Sequence, residues 1–75
     1  MNFGKNFRDA RKQSGYSQKQ VAAILGIHQS NVSDWENDIS RPEYEKLIEL
    51  SHIYDVSLDD LLKVDNQENF FQKRK

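Results

Sequence analysis

Gln29, Ser30, Ser33, Asp34 and Asn37 recur at helical spacing within and just after the segment SQKQVAAILGIHQSNVSDWE, residues 17–36. On a helix Ser30, Ser33, Asp34 and Asn37 share one face, opposite Val32, Trp35 and Glu36 at i, i+3 and i+4, with Gln29 at its leading end. The face is a row of short hydrogen-bonding groups, poor in the long charged side chains that coat a solvated helix. Such a row suits hydrogen bonding to flat, patterned edges, like those the bases present in a major groove. A glutamine pairs bidentately with adenine N6 and N7, which makes Gln29 the residue expected to carry most specificity. Asp34 lies one turn beyond Ser30. Its carboxylate accepts from cytosine N4 but repels phosphate, so selection of a C·G pair and a plain intrahelical or surface role both stay open.

These side chains need a short, rigid mount. Ser17 stands three residues before Gln20, the spacing of a capping box, and opens a helix over 17–25. Gly26 follows the apolar run, where a positive φ ends one helix and turns the chain into the next, over 28–37. A turn this tight sets two helices at a steep angle and projects the second outward. Three more helices are expected around this pair. The first covers 3–13, with Phe3, Phe7, Ala10 and Arg11 on one face and Ser14-Gly15 closing it. The fourth covers 43–54, after a loop in which Pro42 precedes the helix, and turns Leu47, Leu50, Ser51 and Tyr54 inward. The fifth covers 58–63, capped by Ser57 with Asp60 at N3, and carries Leu61 and Leu62. Val21, Ala22 and Leu25 complete the expected core. The fold class is all-α: a compact five-helix domain over 1–65, followed by a polar tail over 66–75 that is expected to be flexible unless a partner buries Phe70 and Phe71.

The pattern SQkqVA..LGI..S.VS.WEn....P...L..LS..Y.VSlddLL resembles the phage-repressor/Cro-like helix-turn-helix family, also called the XRE family. The resemblance spans residues 3–62. Its specificity lies in several features held in register: the Ser-Gln opening, the Val-Ala pair, the Gly turn, the Trp-Glu, the later Pro and the closing Leu pair. It implies sequence-specific binding of duplex DNA by a two-fold dimer and regulation of transcription, more often repression. It places Gln29 and Ser30 where the family enters the major groove first, and His28 beside them; capping, phosphate contact and simple exposure all remain open for His28. Asn37, Ser40 and Arg41 match positions at which relatives meet backbone phosphates, and the resemblance favours the same for Gln18 in the first turn of the second helix. Asn31 and Lys19 are further phosphate candidates, although Lys19 also reads as part of a solvated helix. Glu36 matches a carboxylate that pairs with a first-helix arginine, here Arg11. Such a pair is expected to fix helix geometry more than to add stability.

Charge and composition narrow the remaining classes. The net charge is −1 over 75 residues, but its distribution is polar. Lys5, Arg8, Arg11, Lys12 and Lys19 face only Asp9 among residues 1–19, whereas Glu and Asp dominate residues 43–65. Acidic surface turned away from a duplex limits sequence-blind phosphate attraction, or it merely solvates helix faces. There is no cysteine, and the two histidines, His28 and His52, stand far apart without metal-ligand spacing. No disulfide, metal site or cofactor is therefore expected, and with no Gly-rich phosphate loop or carboxylate pair, no enzyme either. No apolar run approaches a membrane span and no signal-peptide core opens the chain, so a cytoplasmic location is expected. The alternative is an antitoxin or other regulator acting mainly through a protein partner, favoured by the Phe70-Phe71 pair, although the same rings could instead complete a homodimer interface beside the fifth helix.

Overall fold

The computed structural model describes residues 2–64. Five helices follow one another: α1 Gly4–Ser14, α2 Gln18–Leu25, α3 Gln29–Glu36, α4 Tyr44–Tyr54 and α5 Leu58–Leu62. No strand occurs among the described residues, and none of their helices is long and apolar enough to cross a membrane. Phe70 and Phe71 lie outside the described residues.

Both capping boxes expected from the sequence form. Ser17 accepts from the Gln20 N–H at 3.0 Å while Gln20 Oε1 accepts from the Ser17 N–H at 2.8 Å. Ser57 and Asp60 repeat the exchange at the start of α5. Helices α1 and α2 end on Gly15 and Gly26, both at positive φ, with paired backbone bonds closing each last turn. Two aspartates do the same elsewhere. Asp55 ends α4 at φ 54°, and Asp38 at φ 61° follows α3, where the Ile39 N–H reaches Asp34 O at 2.9 Å. Asp tolerates this region because its short polar side chain can hydrogen-bond locally.

Several helix ends differ from expectation by a residue. Phe3 is the N-cap of α1 and has no side-chain cap of its own. The carboxylate of Asp38 supplies the missing acceptor, taking the Gly4 N–H at 2.9 Å. Helix α3 is shorter at both ends, with His28 and Asn37 as caps. Glu43 caps α4 and Lys63 lies just past α5.

The core gathers Phe7 and Ala10 from α1, Val21 and Ala22 from α2, Val32 and Trp35 from α3, Leu47, Leu50 and Tyr54 from α4, and Leu61 from α5. Leu25 and Phe3 pack against it half-buried, and Leu62 stays partly exposed. Every helix thus places apolar side chains in one cluster, where removal of their surface from water is the main favourable term. Polar ties hold the periphery. Asn6 Nδ2 donates to Leu61 O and Lys63 O, fastening α1 to the end of α5, and Ser14 Oγ donates to Tyr54 O at 3.1 Å.

Candidate nucleic-acid interface

The Ser17 box fixes the start of α2, Gly26 its end, and the two-residue link Ile27-His28 leads directly into α3. His28 occupies the N-cap of α3 with extended backbone, but its side chain makes no cap hydrogen bond. Its carbonyl accepts from Asn31 N instead, so a capping imidazole is excluded and the His28 side chain is exposed. Val32, Trp35 and Glu36 face inward, with Glu36 only 2% exposed. Gln29, Ser30, Asn31 and Asn37 are exposed, while Ser33 and Asp34 are half-buried.

Glu36 is the hub that sets this helix. Arg11 Nε donates to its Oε2 at 2.7 Å and Arg11 Nη2 to its Oε1 at 3.1 Å, while Arg11 Nη1 holds Tyr16 O at 2.9 Å. The bond to Glu36 raises the pKa of the Arg11 guanidinium against the opposing effect of burial. Burial pushes the Tyr54 phenol well above its usual range, and the nearby Glu36 carboxylate adds to the rise. Gln18 Nε2 also donates to Glu36 Oε1, at 2.9 Å, and Gln18 Oε1 accepts a long bond of 3.5 Å from Gln29 Nε2. A chain of hydrogen bonds therefore runs from buried Arg11 through Glu36 and Gln18 to exposed Gln29.

The other side chains singled out in the sequence differ in how firmly they are held. Asp34 forms no ion pair or hydrogen bond through its carboxylate among the described residues, so the intrahelical role is not taken up; its carbonyl instead closes the following turn. Lys19 and Ser40 are exposed. Arg41 sits over the Phe3 ring at 5.2 Å. Asn37 is held twice: its Nδ2 donates to Ser33 O and Oγ, and its Oδ1 accepts from Arg8 Nη2. The contributions of Arg8 and Asp38 were missed in the sequence. For Arg8 a signal existed, since it stands at i−3 from Arg11 on the same side of the first helix; for Asp38 none did.

Residues 7–61 match a family described as helix-turn-helix. The chain belongs to the phage-repressor/Cro-like helix-turn-helix family. Among similar proteins, the HTH-type transcriptional regulator ImmR of Bacillus subtilis (strain 168) is 42% identical over 65 residues, covering 87% of this chain and 51% of the relative. The uncharacterized HTH-type transcriptional regulator YqaE of the same organism is 40% identical over 70 residues, covering 93% and 60%. The chain thus spans roughly half to three-fifths of the length of these relatives. The P22 c2 repressor, solved in complex with a synthetic operator, superposes with a TM-score of 0.76 at 30% identity, over 84% of this chain and 96% of that one. In this helix-turn-helix family member, α2 and α3 form the motif, and α1 braces it from behind through Arg11.

Proposed function

We propose that this chain is a sequence-specific duplex-DNA-binding regulator of transcription that reads the major groove with α3. The observation that carries the reading is the Gln29 carboxamide, exposed at the leading end of α3 and oriented by a long hydrogen bond to Gln18, which in turn holds buried Glu36. A base-reading group held in this way loses less rotamer freedom on binding than a free one, which favours specific contact. Gln29 and Ser30 are assigned to base edges, with His28 beside them, and the uncommitted Asp34 carboxylate to a cytosine N4. Lys19, Asn31, Asn37, Ser40 and Arg41 are assigned to phosphates. Gln18 joins them through its backbone N–H in the first turn of α2, because its carboxamide is already engaged.

A homodimer is the assembly we assign, with two copies of α3 in successive major grooves about 34 Å apart. Exposed Tyr44 and Ile48, one turn apart on α4, and Leu62 on α5 supply apolar surface for it. The operator-bound P22 c2 repressor supports the DNA reading by similarity. Repression follows where such a dimer overlaps a promoter, and the cytoplasm is where it acts. The domain is assigned to residues 1–65, and contact with a protein partner to 66–75.

The test is an unbiased selection in which the protein is incubated with random-sequence duplex and the retained DNA is sequenced. Enrichment of an inverted repeat, its half-sites one helical turn apart, is expected. No enrichment at moderate salt overturns the reading in favour of a regulator acting mainly through a protein partner.

A further inference from the structure

The fold carries a cation from outside the helix-turn-helix to the far end of α3. Arg8 Nη2 donates to Glu36 O at 3.0 Å and to Asn37 Oδ1 at 3.1 Å. Its Nε stands 3.8 Å from Glu36 Oε1, beyond hydrogen-bond length. The charge of Glu36 is already matched by Arg11, which grips both carboxylate oxygens. Two guanidiniums therefore face one buried carboxylate, and at that carboxylate a positive charge is left over, with Asp9 and Asp38 as the other anions around Arg8. That surplus falls on Arg8, whose side chain is 39% exposed against 11% for Arg11. Its Nε–H and the N–H groups of Nη1 make no hydrogen bond among the described residues.

The position of this surplus matters. The C-terminal end of a helix carries partial negative charge and repels an approaching anion. Arg8 offsets it at the carbonyl of Glu36, the last residue of α3. The neighbouring carboxylate of Asp38 accepts the Gly4 N–H. Asn37 has both of its polar atoms engaged, Nδ2 with Ser33 and Oδ1 with Arg8. An anion arriving beside Asn37 thus meets the open N–H groups of Arg8, whose planar fork matches phosphate geometry.

We propose that Arg8 is a further phosphate-binding residue, delivered from α1 and contacting the DNA strand that passes the C-terminal end of α3. The inference rests on the duplex-binding reading above. It adds Arg8 to the phosphate contact assigned to Asn37, whose Oδ1 holds the guanidinium in place.

Binding is measured by fluorescence anisotropy on a mixed-sequence duplex of about 21 base pairs, two helical turns, across about 50–200 mM salt. Wild type is compared with Arg8→Gln and Arg8→Lys, and thermal melts establish that each variant folds. Each phosphate contact contributes ~0.9 to the slope of log K against log salt. Arg8→Gln is therefore expected to flatten the slope by ~0.9, so that its deficit relative to wild type shrinks about 3.5-fold across this range. Arg8→Lys keeps the charge and is expected to keep the slope. In wild type, titration with the duplex should also shift the Nε–H NMR resonance of Arg8 and leave that of Arg11 in place, a readout that needs no variant to fold. An unchanged slope in folded Arg8→Gln, or an Arg8 resonance that does not move when duplex binds, overturns the proposal and leaves Arg8 a structural brace. Failure of wild type to bind duplex in a salt-dependent way overturns the underlying reading instead.

Discussion

Gln18 and Glu36, the first residue of α2 and the last of α3, are joined by a hydrogen bond of 2.9 Å from Gln18 Nε2 to Glu36 Oε1. The same carboxylate is gripped by Arg11 from α1. Three helices thus share one buried anion, and the angle between α2 and α3 is set by polar geometry as well as by apolar packing. The arrangement also connects stability to recognition, because Gln18 touches Gln29 on its other side.

Removing the cation from this site exposes the cost of burying its partner. Arg11→Ala leaves Glu36 with Gln18 as its remaining hydrogen-bond donor and Arg8 at 3.8 Å. A loss of about 3–5 kcal/mol is expected, as for other broken buried pairs. For a domain of this size that lowers the melting temperature by more than about 10 °C. Arg11→Met combined with Glu36→Met should recover much of the loss, since a buried pair is often replaceable by apolar side chains. An unchanged melt for Arg11→Ala sinks the account of Glu36 as a hub.

Gln29→Ala should cost about 1–3 kcal/mol on the preferred site and relax the preference at one base pair. Affinity for nonspecific duplex should hardly change. Equal weakening on both kinds of DNA in a competition assay reduces Gln29 to a backbone contact.

Arg41→Ala should act the other way, weakening binding to all sequences and flattening the salt dependence by about one unit of slope. Its sequence preference, read by the same selection, should match wild type. A changed preference with unchanged slope contradicts the phosphate assignment.

The close approach of α1 to the end of α3 admits no side chain at Gly4. A Cβ there would overlap the carbonyl oxygen of Glu36 and lie 2.7 Å from its carbonyl carbon. Gly4→Ala should therefore destabilise by about 1–3 kcal/mol, the usual cost of overpacking, readable as a lower urea midpoint. A wild-type midpoint would mean that α1 shifts away freely.

Tyr54 gives the fold an alkaline limit. Its phenol titrates above its usual value in the folded state, so above about pH 10 the unfolded chain releases a proton that the folded chain keeps. The unfolded state then binds fewer protons, and stability falls as pH rises. The stability this group contributes is complete below about pH 10 and is lost progressively above it. Tyr54→Phe should show a shallower decline of melting temperature above that pH than wild type. Parallel curves would mean that Tyr54 ionises as easily folded as unfolded.

Local chemistry made much of this molecule legible in its sequence. Ser17 with Gln20 and Ser57 with Asp60 announce helix starts because a cap needs only residues three apart. Gly15 and Gly26 announce helix ends because a positive φ favours glycine. The inward set of Val32, Trp35 and Glu36 follows from helical periodicity alone, and the row of Gln29, Ser30 and Asn37 from the same count. Tertiary structure decided what lies far apart in the chain. Asp38 caps α1 across 34 residues and Arg8 reaches Glu36 O across 28. Asp55 and Asp38 take positive φ where the sequence carries no glycine signal. The Gln18 carboxamide turns away from solvent toward Glu36, because a buried carboxylate oxygen draws a donor more strongly than water at the surface does. A side chain's spacing reveals its face of a helix; only packing reveals which partner from another helix will be waiting there.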